Sequence, residues 1–240
     1  MAIVKIGWSG GKDSTCATYK RLENGDTVKA VCYVPYFTKD IPLINKAHHE
    51  FILRQADIFR AQGAAVFFAE GITFWDYCLS ICKSGINAGQ VKGYPYVNAC
   101  GFRRDSKIAA CDNTNVGYYD FQDIGIAYDE FARYGQLSES KRSILVEQKI
   151  TELMAARFCI ERDAYSPHYQ YSKRDGCALC VNAKPIERAI WFSDYPAARG
   201  EVIRLQETLK PLLVGRKNEF PLRDYQYFVD TDQLQLSFFD

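Results

Sequence analysis

The sequence predicts an α/β fold in which a mainly parallel sheet is flanked by helices. Short runs of β-forming residues alternate along the chain with longer segments of helical periodicity, an order typical of right-handed strand–helix–strand units. The first such run ends at two glycines, Gly10 and Gly11, directly before a predicted helix. The 240 residues are 48% hydrophobic and 25% charged, which is close to the globular average and sufficient for one large domain.

The predicted elements follow one another in a regular order. Predicted strands cover residues 2–8, 28–34, 65–69, 121–128 and 144–147. Predicted helices cover residues 14–22, 41–62, 74–83, 151–162, 184–192 and 197–209. Residues 85–98 and 165–176 are predicted as loops because they are rich in glycine, or in aromatic and polar side chains.

The domain organisation follows from these elements. We expect residues 1–150 to form the α/β core and residues 151–223 a helical and loop-rich C-terminal extension of the same domain. Residues 224–240 are expected to form a terminal hairpin or tail.

Composition argues against several classes of protein. The formal charge is 30 − 29 = +1, so no overall field marks a nucleic-acid or membrane-surface binder. The longest apolar run, residues 64–69, is much shorter than a membrane-spanning helix, and we expect no membrane partner. Lys5 interrupts the apolar N-terminal stretch, so we expect no secretory signal. Nine cysteines without an export signal suggest reduced thiols and a cytoplasmic location.

The glycine-rich loop after the first predicted strand is the strongest functional signal. Glycines let backbone amides turn toward a ligand, and the following helix N-terminus adds unpaired donors and a positive dipole end. Together they predict a pocket for phosphate or pyrophosphate. Lys12 adds a point charge, and Asp13 suggests Mg²⁺ because a carboxylate alone would repel phosphate. The candidate nucleotide-binding residues are Ser9, Gly10, Gly11, Lys12, Asp13, Ser14 and Thr15.

The loop differs from two common phosphate-binding patterns, since it has neither G-x-x-x-x-G-K-S/T nor G-x-G-x-x-G spacing. It resembles instead the pyrophosphate loop (PP-loop) of the adenine nucleotide α-hydrolase superfamily, which includes ATP pyrophosphatases and phosphoadenosine phosphosulfate (PAPS) reductases. Five later segments are similar to the PAPS reductase-like branch, in the same order: residues 125–133, 149–152, 166–169, 176–180 and 194–196. The resemblance spans most of residues 3–210.

This resemblance implies a Rossmann-like (HUP-type) sheet that binds ATP or PAPS at its strand ends. The ATP-using members cleave between the α- and β-phosphates and leave an adenylated substrate, often for sulfur insertion. The reductase members release sulfite through a nucleophilic cysteine in a C-terminal tail. This chain has no cysteine after Cys180, which favours an ATP-using or sulfur-transfer enzyme. A reductase that uses Cys177 or Cys180 remains the alternative.

Three further polar residues are candidates for catalysis beside Lys12 and Asp13. Glu130 and Arg133 follow a predicted parallel strand, and ligands bind at the carboxyl ends of such strands. Their i, i+3 spacing also fits a surface ion pair. Lys107 could reach the transferring group or be an ordinary solvated lysine.

Four cysteines form a candidate metal site: Cys100, Cys111, Cys177 and Cys180. The C-x-x-C spacing of the last two suits Zn²⁺ or a 4Fe-4S cluster. On one straight helix the first two would lie about 16 Å apart, so both can ligate only if that helix is broken. A reduced thiol pair under a loop, or a redox dithiol, is the alternative.

The C-terminal residues allow two interpretations. Alternating apolar residues on both sides of 230–232 fit a hairpin. Residues 235–239 (QLSFF) alternatively resemble the pentapeptide by which bacterial DNA-processing proteins dock on the sliding clamp.

The sequence as a whole predicts an enzyme that acts at the α-phosphate anhydride, with a nucleic-acid or sulfur-carrier acceptor. A non-catalytic nucleotide sensor that docks partners through its tail is a further alternative.

Overall fold

The computed structural model describes residues 1–95, 100–173, 176–180 and 182–216. The predicted tail at 224–240, with its clamp-like pentapeptide at 235–239, lies outside the described residues, as do residues 96–98 of one predicted loop. Within the described ranges, no helix combines the length and the apolar character needed to cross a bilayer.

Strands and helices alternate through most of the chain. The described strands are β1 (Ile3–Trp8), β2 (Thr27–Tyr33), β3 (Tyr36–Thr38), β4 (Ile41–Pro42), β5 (Ala65–Ala69), β6 (Phe121–Ile124) and β7 (Lys141–Arg142). The described α-helices are α1 (Lys12–Glu23), α2 (Lys46–Ala61), α3 (Phe74–Leu79), α4 (Ala109–Asn113), α5 (Phe131–Tyr134), α6 (Ile144–Glu147), α7 (Glu152–Glu161), α8 (Pro185–Asp194) and α9 (Ala197–Leu209). Single 3-10 turns occupy Tyr128–Glu130, Pro167–Gln170 and Lys210–Leu212, and a π-helical turn occupies Arg103–Ile108.

The chain folds into two compact units. The first takes Met1–Val34, Ala47–Glu70 and the described residues of Ala110–Asp175. The second takes Pro35–Lys46 and the described residues of Gly71–Ala109 and Gly176–Asp240. Each unit is therefore assembled from three separate stretches of chain.

A five-stranded parallel sheet forms the framework of the first unit, in the order β5-β2-β1-β6-β7. The central strand β1 pairs with β2 on one side and with β6 on the other, and Val4 lies opposite both Val28 and Phe121. The chain builds outward from β1 through β2 to β5, and then resumes on the opposite side with β6. This arrangement confirms the predicted α/β, Rossmann-like class, and it makes β1 the strand at which the strand order reverses.

The strand predicted at residues 144–147 is wrong, because these residues form the short helix α6. Ile144, Leu145 and Val146 are all buried, and a short apolar run cannot by periodicity alone be assigned to strand or helix. The fifth strand instead comes just before, at Lys141–Arg142, and pairs with β6. Ser143 separates the two elements, and its hydroxyl donates to the Ile126 carbonyl at 2.7 Å.

The helix predicted at residues 41–62 begins later than expected, at Lys46. Residues Ile41–Pro42 form β4, which pairs with β3 in a small antiparallel ribbon of the second unit. Proline disfavours helical geometry at the residue before it, which explains the extended start. The helix predicted at 151–162 is confirmed, and the Thr151 hydroxyl caps it by accepting from the Met154 amide at 3.3 Å.

Aromatic side chains dominate the core of the second unit. Phe37 of β3 contacts Phe74 and Trp75 of α3 and Trp191 of α8, with ring centroids 5.7–6.2 Å apart. The Trp191 indole N–H donates to the Pro42 carbonyl at 2.7 Å, so its polar atom is satisfied inside this core. These contacts join the β3–β4 ribbon to α3 and to α8, the first of the two predicted late helices.

Candidate functional site

The glycine-rich loop lies where the strand order of the sheet reverses. Because β1 has β2 on one side and β6 on the other, the segments that follow β1 and β6 flank the crevice in which open α/β sheets bind ligands. The loop joins the end of β1 to α1, whose first-turn amides have no carbonyl partner within the helix. The predicted sequence of strand, glycine turn and helix is confirmed.

The two glycines of the loop differ in their local geometry. Gly10 has φ +75, and a Cβ there would lie 2.5 Å from Ile52 Cγ1 and 3.0 Å from His48 Cε1. Gly11 is the N-cap of α1 in an extended conformation, and it has no side chain to accept from the helix amides. The usual capping residues offer a side-chain acceptor at that position, so the amides of the first turn of α1 receive no cap from the N-cap residue itself.

Two of the predicted hydroxyl donors brace the loop. The Ser14 hydroxyl donates to the Gly11 carbonyl at 3.0 Å. Thr15 is fully buried, and its hydroxyl accepts from the Trp8 indole N–H at 3.0 Å. The hydrogen bond to Trp8 ties the first turn of α1 to the end of β1, so Thr15 helps to hold the shape of the loop.

A second close approach comes from the segment after β6. A Cβ on Gly125 would lie 2.5 Å from the Ser14 amide nitrogen and 2.9 Å from the Asp13 carbonyl carbon. Both are backbone atoms, which cannot move aside as a flexible side chain can. Gly125 therefore allows the end of β6 to lie directly against the first turn of α1.

The charged groups of the loop have partners within the first unit. The Lys12 ammonium pairs with Asp13 Oδ2 at 3.4 Å and with the Glu152 carboxylate. The Lys12 backbone amide donates to the Tyr169 hydroxyl at 3.1 Å. Neither Glu152 nor Tyr169 was a predicted site residue, although both lie in segments that show the family resemblance.

Asp13, the acid of the loop, has a strongly shifted pKa. Burial raises the pKa of Asp13 from 3.8 to about 6, and the nearby carboxylates of Glu152 and Glu130 act in the same direction. The Lys12 ammonium opposes these effects. Asp13 Oδ1 is buried and has no hydrogen-bond partner among the described residues. An unsatisfied buried oxygen beside the predicted phosphate-binding loop suits a cation that is brought in with the ligand.

Glu130 and Arg133 form the surface ion pair that was the alternative to a catalytic role. Arg133 Nη1 lies 3.2 Å from Glu130 Oε1, and both side chains are well exposed. Glu130 is nonetheless close enough to Asp13 to raise the pKa of that carboxyl. The neighbouring Asp129 accepts from the Glu152 amide at 3.0 Å and so holds the start of α7.

The remaining candidates are divided between the two units. Lys107 lies half-buried on the Arg103–Ile108 turn of the second unit. Cys100, Cys177 and Cys180 also belong to the second unit, where Cys100 and Cys180 lie close enough to interact electrostatically. Cys111 belongs to the first unit and packs in an apolar cluster with Val31, Tyr33 and Ala69.

The helix that separates Cys100 from Cys111 is irregular, since the π-helical turn interrupts it before α4. Across the described ranges, however, no three or more His, Cys, Asp or Glu side chains are grouped so that they could hold a metal ion. The four cysteines remain a sequence prediction as a metal site.

Comparison with known proteins adds no further assignment, since neither the protein-family models nor the curated proteins include a match to this chain.

Sequence reasoning missed Gly125, Glu152 and Tyr169 as parts of the site. Glu152 and Tyr169 are 140 and 157 positions away from Lys12, so their contacts with it depend on tertiary structure. The available signals were their positions within segments similar to the PAPS reductase-like branch and, for Gly125, a glycine inside the strand predicted at 121–128.

Proposed function

We propose that the protein binds an adenine nucleotide on residues 9–15 and acts at its α-phosphate anhydride. The observation that supports this most strongly is the position of the loop, an anion-binding turn at the N-terminus of α1 where the strand order reverses. The resemblance to PAPS reductase-like proteins supports adenine as the base.

The α-phosphate is the favoured reaction centre because of the phosphates that the loop would hold. A glycine turn followed by open helix amides suits a pyrophosphate group, here the β- and γ-phosphates of ATP. When the bond from α-phosphorus to the bridging oxygen breaks, negative charge develops on that pyrophosphate. We expect the loop amides and the Lys12 ammonium to stabilise this charge.

The proposed reaction transfers an adenylyl group. A nucleophilic atom of the acceptor attacks the α-phosphorus, the bond to the bridging oxygen breaks, and pyrophosphate leaves with that bonding electron pair. The acceptor keeps the adenylyl group. The family resemblance favours an acceptor in sulfur transfer or in nucleic-acid modification. Adenylation activates such an acceptor, because a second nucleophile can then displace AMP from it.

Asp13 fits the predicted Mg²⁺ ion. Mg²⁺ is commonly held by one or two carboxylates together with substrate phosphates, and Asp13 offers a buried oxygen that has no partner among the described residues. Bound there, the ion would neutralise phosphate charge. No three or more metal-ligating side chains are grouped among the described residues, so no step is assigned to a zinc ion or an iron–sulfur cluster.

Product analysis with ATP and Mg²⁺ tests the reaction. Incubation with RNA, DNA or a persulfide-carrying protein is expected to release pyrophosphate and to leave the adenylyl group on the acceptor, from which AMP is freed when water or a sulfur nucleophile displaces it. Chromatography and phosphorus NMR distinguish pyrophosphate from ADP and phosphate. Loss of the ammonium in Lys12→Met is expected to slow pyrophosphate release by about 10- to 100-fold, the typical value of a charge-assisted hydrogen bond.

Lys20→Met is the matched control. Lys20 lies two turns further along α1 and pairs with Glu23 at 2.8 Å, so its loss should leave the rate within about twofold. Release of ADP and phosphate would contradict the α-phosphate assignment. Sulfite release from PAPS or adenylyl sulfate, lost in Cys177→Ser or Cys180→Ser, would favour the reductase. Nucleotide binding without turnover in the presence of any acceptor would favour the sensor.

A further inference from the structure

Two oxygens of the protein occupy donors that the loop would offer to a phosphate. The Tyr169 hydroxyl accepts from the Lys12 backbone amide at 3.1 Å. The Glu152 carboxylate pairs with the Lys12 ammonium, whose side chain is only 11% exposed. Both donors of Lys12 are therefore engaged by groups from outside the loop.

The elements that bear these oxygens are themselves well fixed. Glu152 is the first residue of α7, and its amide donates to Asp129 Oδ1 at 3.0 Å. Tyr169 lies on the Pro167–Gln170 turn, and its ring stacks on that of Tyr165 with centroids 4.7 Å apart. The Lys12 ammonium lies 5.6 Å from the centroid of the same Tyr169 ring. The position of Lys12 is thus defined by α7 and by this tyrosine pair.

We infer that Tyr169 and Glu152 form a self-occupying contact, a built-in competitor that a pyrophosphate group must displace from Lys12 in order to bind. This inference rests on the proposed function, since it assumes that the ligand's phosphates bind to Lys12. The amide that Tyr169 engages belongs to the first residue of α1, one of the helix N-terminal donors suited to an anion. When only a fraction of the molecules has the conformation that a ligand requires, the apparent affinity for that ligand is reduced by that fraction. Loss of either contact therefore raises the affinity for an anion.

Titration calorimetry with inorganic pyrophosphate tests the inference. We expect Tyr169→Phe and Glu152→Gln each to bind pyrophosphate about 2- to 10-fold more tightly than the wild type, the range expected for one net hydrogen bond. Tyr165→Phe is the control for the tyrosine, because Tyr165 stacks in the same pair and its hydroxyl has no hydrogen bond within the described residues. Glu161→Gln removes the same charge from the exposed end of α7. Both controls are expected to stay within twofold of the wild type.

The outcomes separate the inference from the proposed function. If the wild type binds pyrophosphate and Tyr169→Phe binds it equally well or more weakly, the self-occupying contact is contradicted while the proposed function stands. If Glu161→Gln tightens binding as much as Glu152→Gln, the effect is one of general charge, and the role of Glu152 is contradicted. If neither the wild type nor any variant binds pyrophosphate or ATP, the proposed function itself fails. Thermal unfolding of each variant shows whether a weakened affinity reflects a loss of folding.

Discussion

Gly10→Ala is expected to destabilise the protein by about 2–5 kcal/mol and to abolish measurable nucleotide binding. Gly10 has φ +75, a region that costs an L-residue roughly 1–2 kcal/mol. The added Cβ would also lie 2.5 Å from Ile52 Cγ1, and relieving such overpacking costs about 1–3 kcal/mol more. Either α2 moves away or the turn changes shape, and both responses disturb the amides that the phosphate needs.

Gly7→Ala is the matched control for this prediction. Gly7 lies in β1, and a Cβ there would have no atom within 4 Å. Its replacement is expected to leave stability within about 0.5 kcal/mol and nucleotide affinity unchanged. Thermal unfolding and calorimetric titration with ATP and Mg²⁺ measure both quantities. Wild-type affinity in a folded Gly10→Ala variant would show that the turn is not the phosphate site.

Arg21→Met is expected to destabilise the protein by about 3–5 kcal/mol, because it leaves a buried acid without its counter-charge. Arg21 of α1 is buried, and its Nε lies 2.5 Å from Asp123 Oδ2 on β6, a carboxylate with no solvent exposure. The same guanidinium lies 3.2 Å from Glu147 Oε2 and 4.9 Å from the centroid of the Phe121 ring. This ion pair joins the last turns of α1 to the strand that follows the reversal of strand order.

The Arg21→Met effect is expected to depend on pH in a defined direction. Burial raises the pKa of Asp123 from 3.8 to about 6 in the folded protein. Folding therefore favours the protonated form of Asp123. The stability associated with this carboxyl is fully present below about pH 4 and is lost as the pH rises through about 6. Removal of Arg21 raises this pKa further, so the variant should lose more stability at pH 8 than at pH 5.

Urea unfolding at pH 5 and pH 8 measures this difference, and Arg60→Met is the control. Arg60 pairs with Asp57 at 2.7 Å on the exposed face of α2, where such pairs contribute about 0–1 kcal/mol. The double variant Arg21→Met, Asp123→Asn should recover part of the lost stability at pH 8. Equal and small effects of Arg21→Met and Arg60→Met would contradict the role of the buried pair.

Local sequence rules predict β1, the glycine turn and α1 well, because the signals lie within adjacent residues. The same rules assign residues 144–147 to a strand, since a run of three apolar residues shows no periodicity and the extended segment before it is only two residues long. Pro42 explains the late start of α2 once the β3–β4 ribbon is known.

The site is predictable only in part, because several of its contacts join residues that lie far apart in the sequence. The loop residues could be identified from glycine chemistry, yet the contact of Gly125 with the Ser14 backbone depends on the parallel pairing of β1 and β6. The contacts of Tyr169 and Glu152 with Lys12 join segments about 150 positions apart, and no local pattern encodes them. Glu130 and Arg133 fit both a catalytic pair and a surface ion pair by spacing, so the sequence could not choose between them.

A thermal-shift panel with ATP, PAPS and adenylyl sulfate, with and without Mg²⁺, tests the central claim most directly. A nucleotide present at about 100 times its dissociation constant adds about 2.7 kcal/mol of stability, which is roughly 5–10 °C for a chain of this size. We expect the largest shift with ATP and Mg²⁺ in the wild type, and none in Gly10→Ala. No shift with any of the three nucleotides, or an equal shift in Gly10→Ala, would contradict nucleotide binding on the loop.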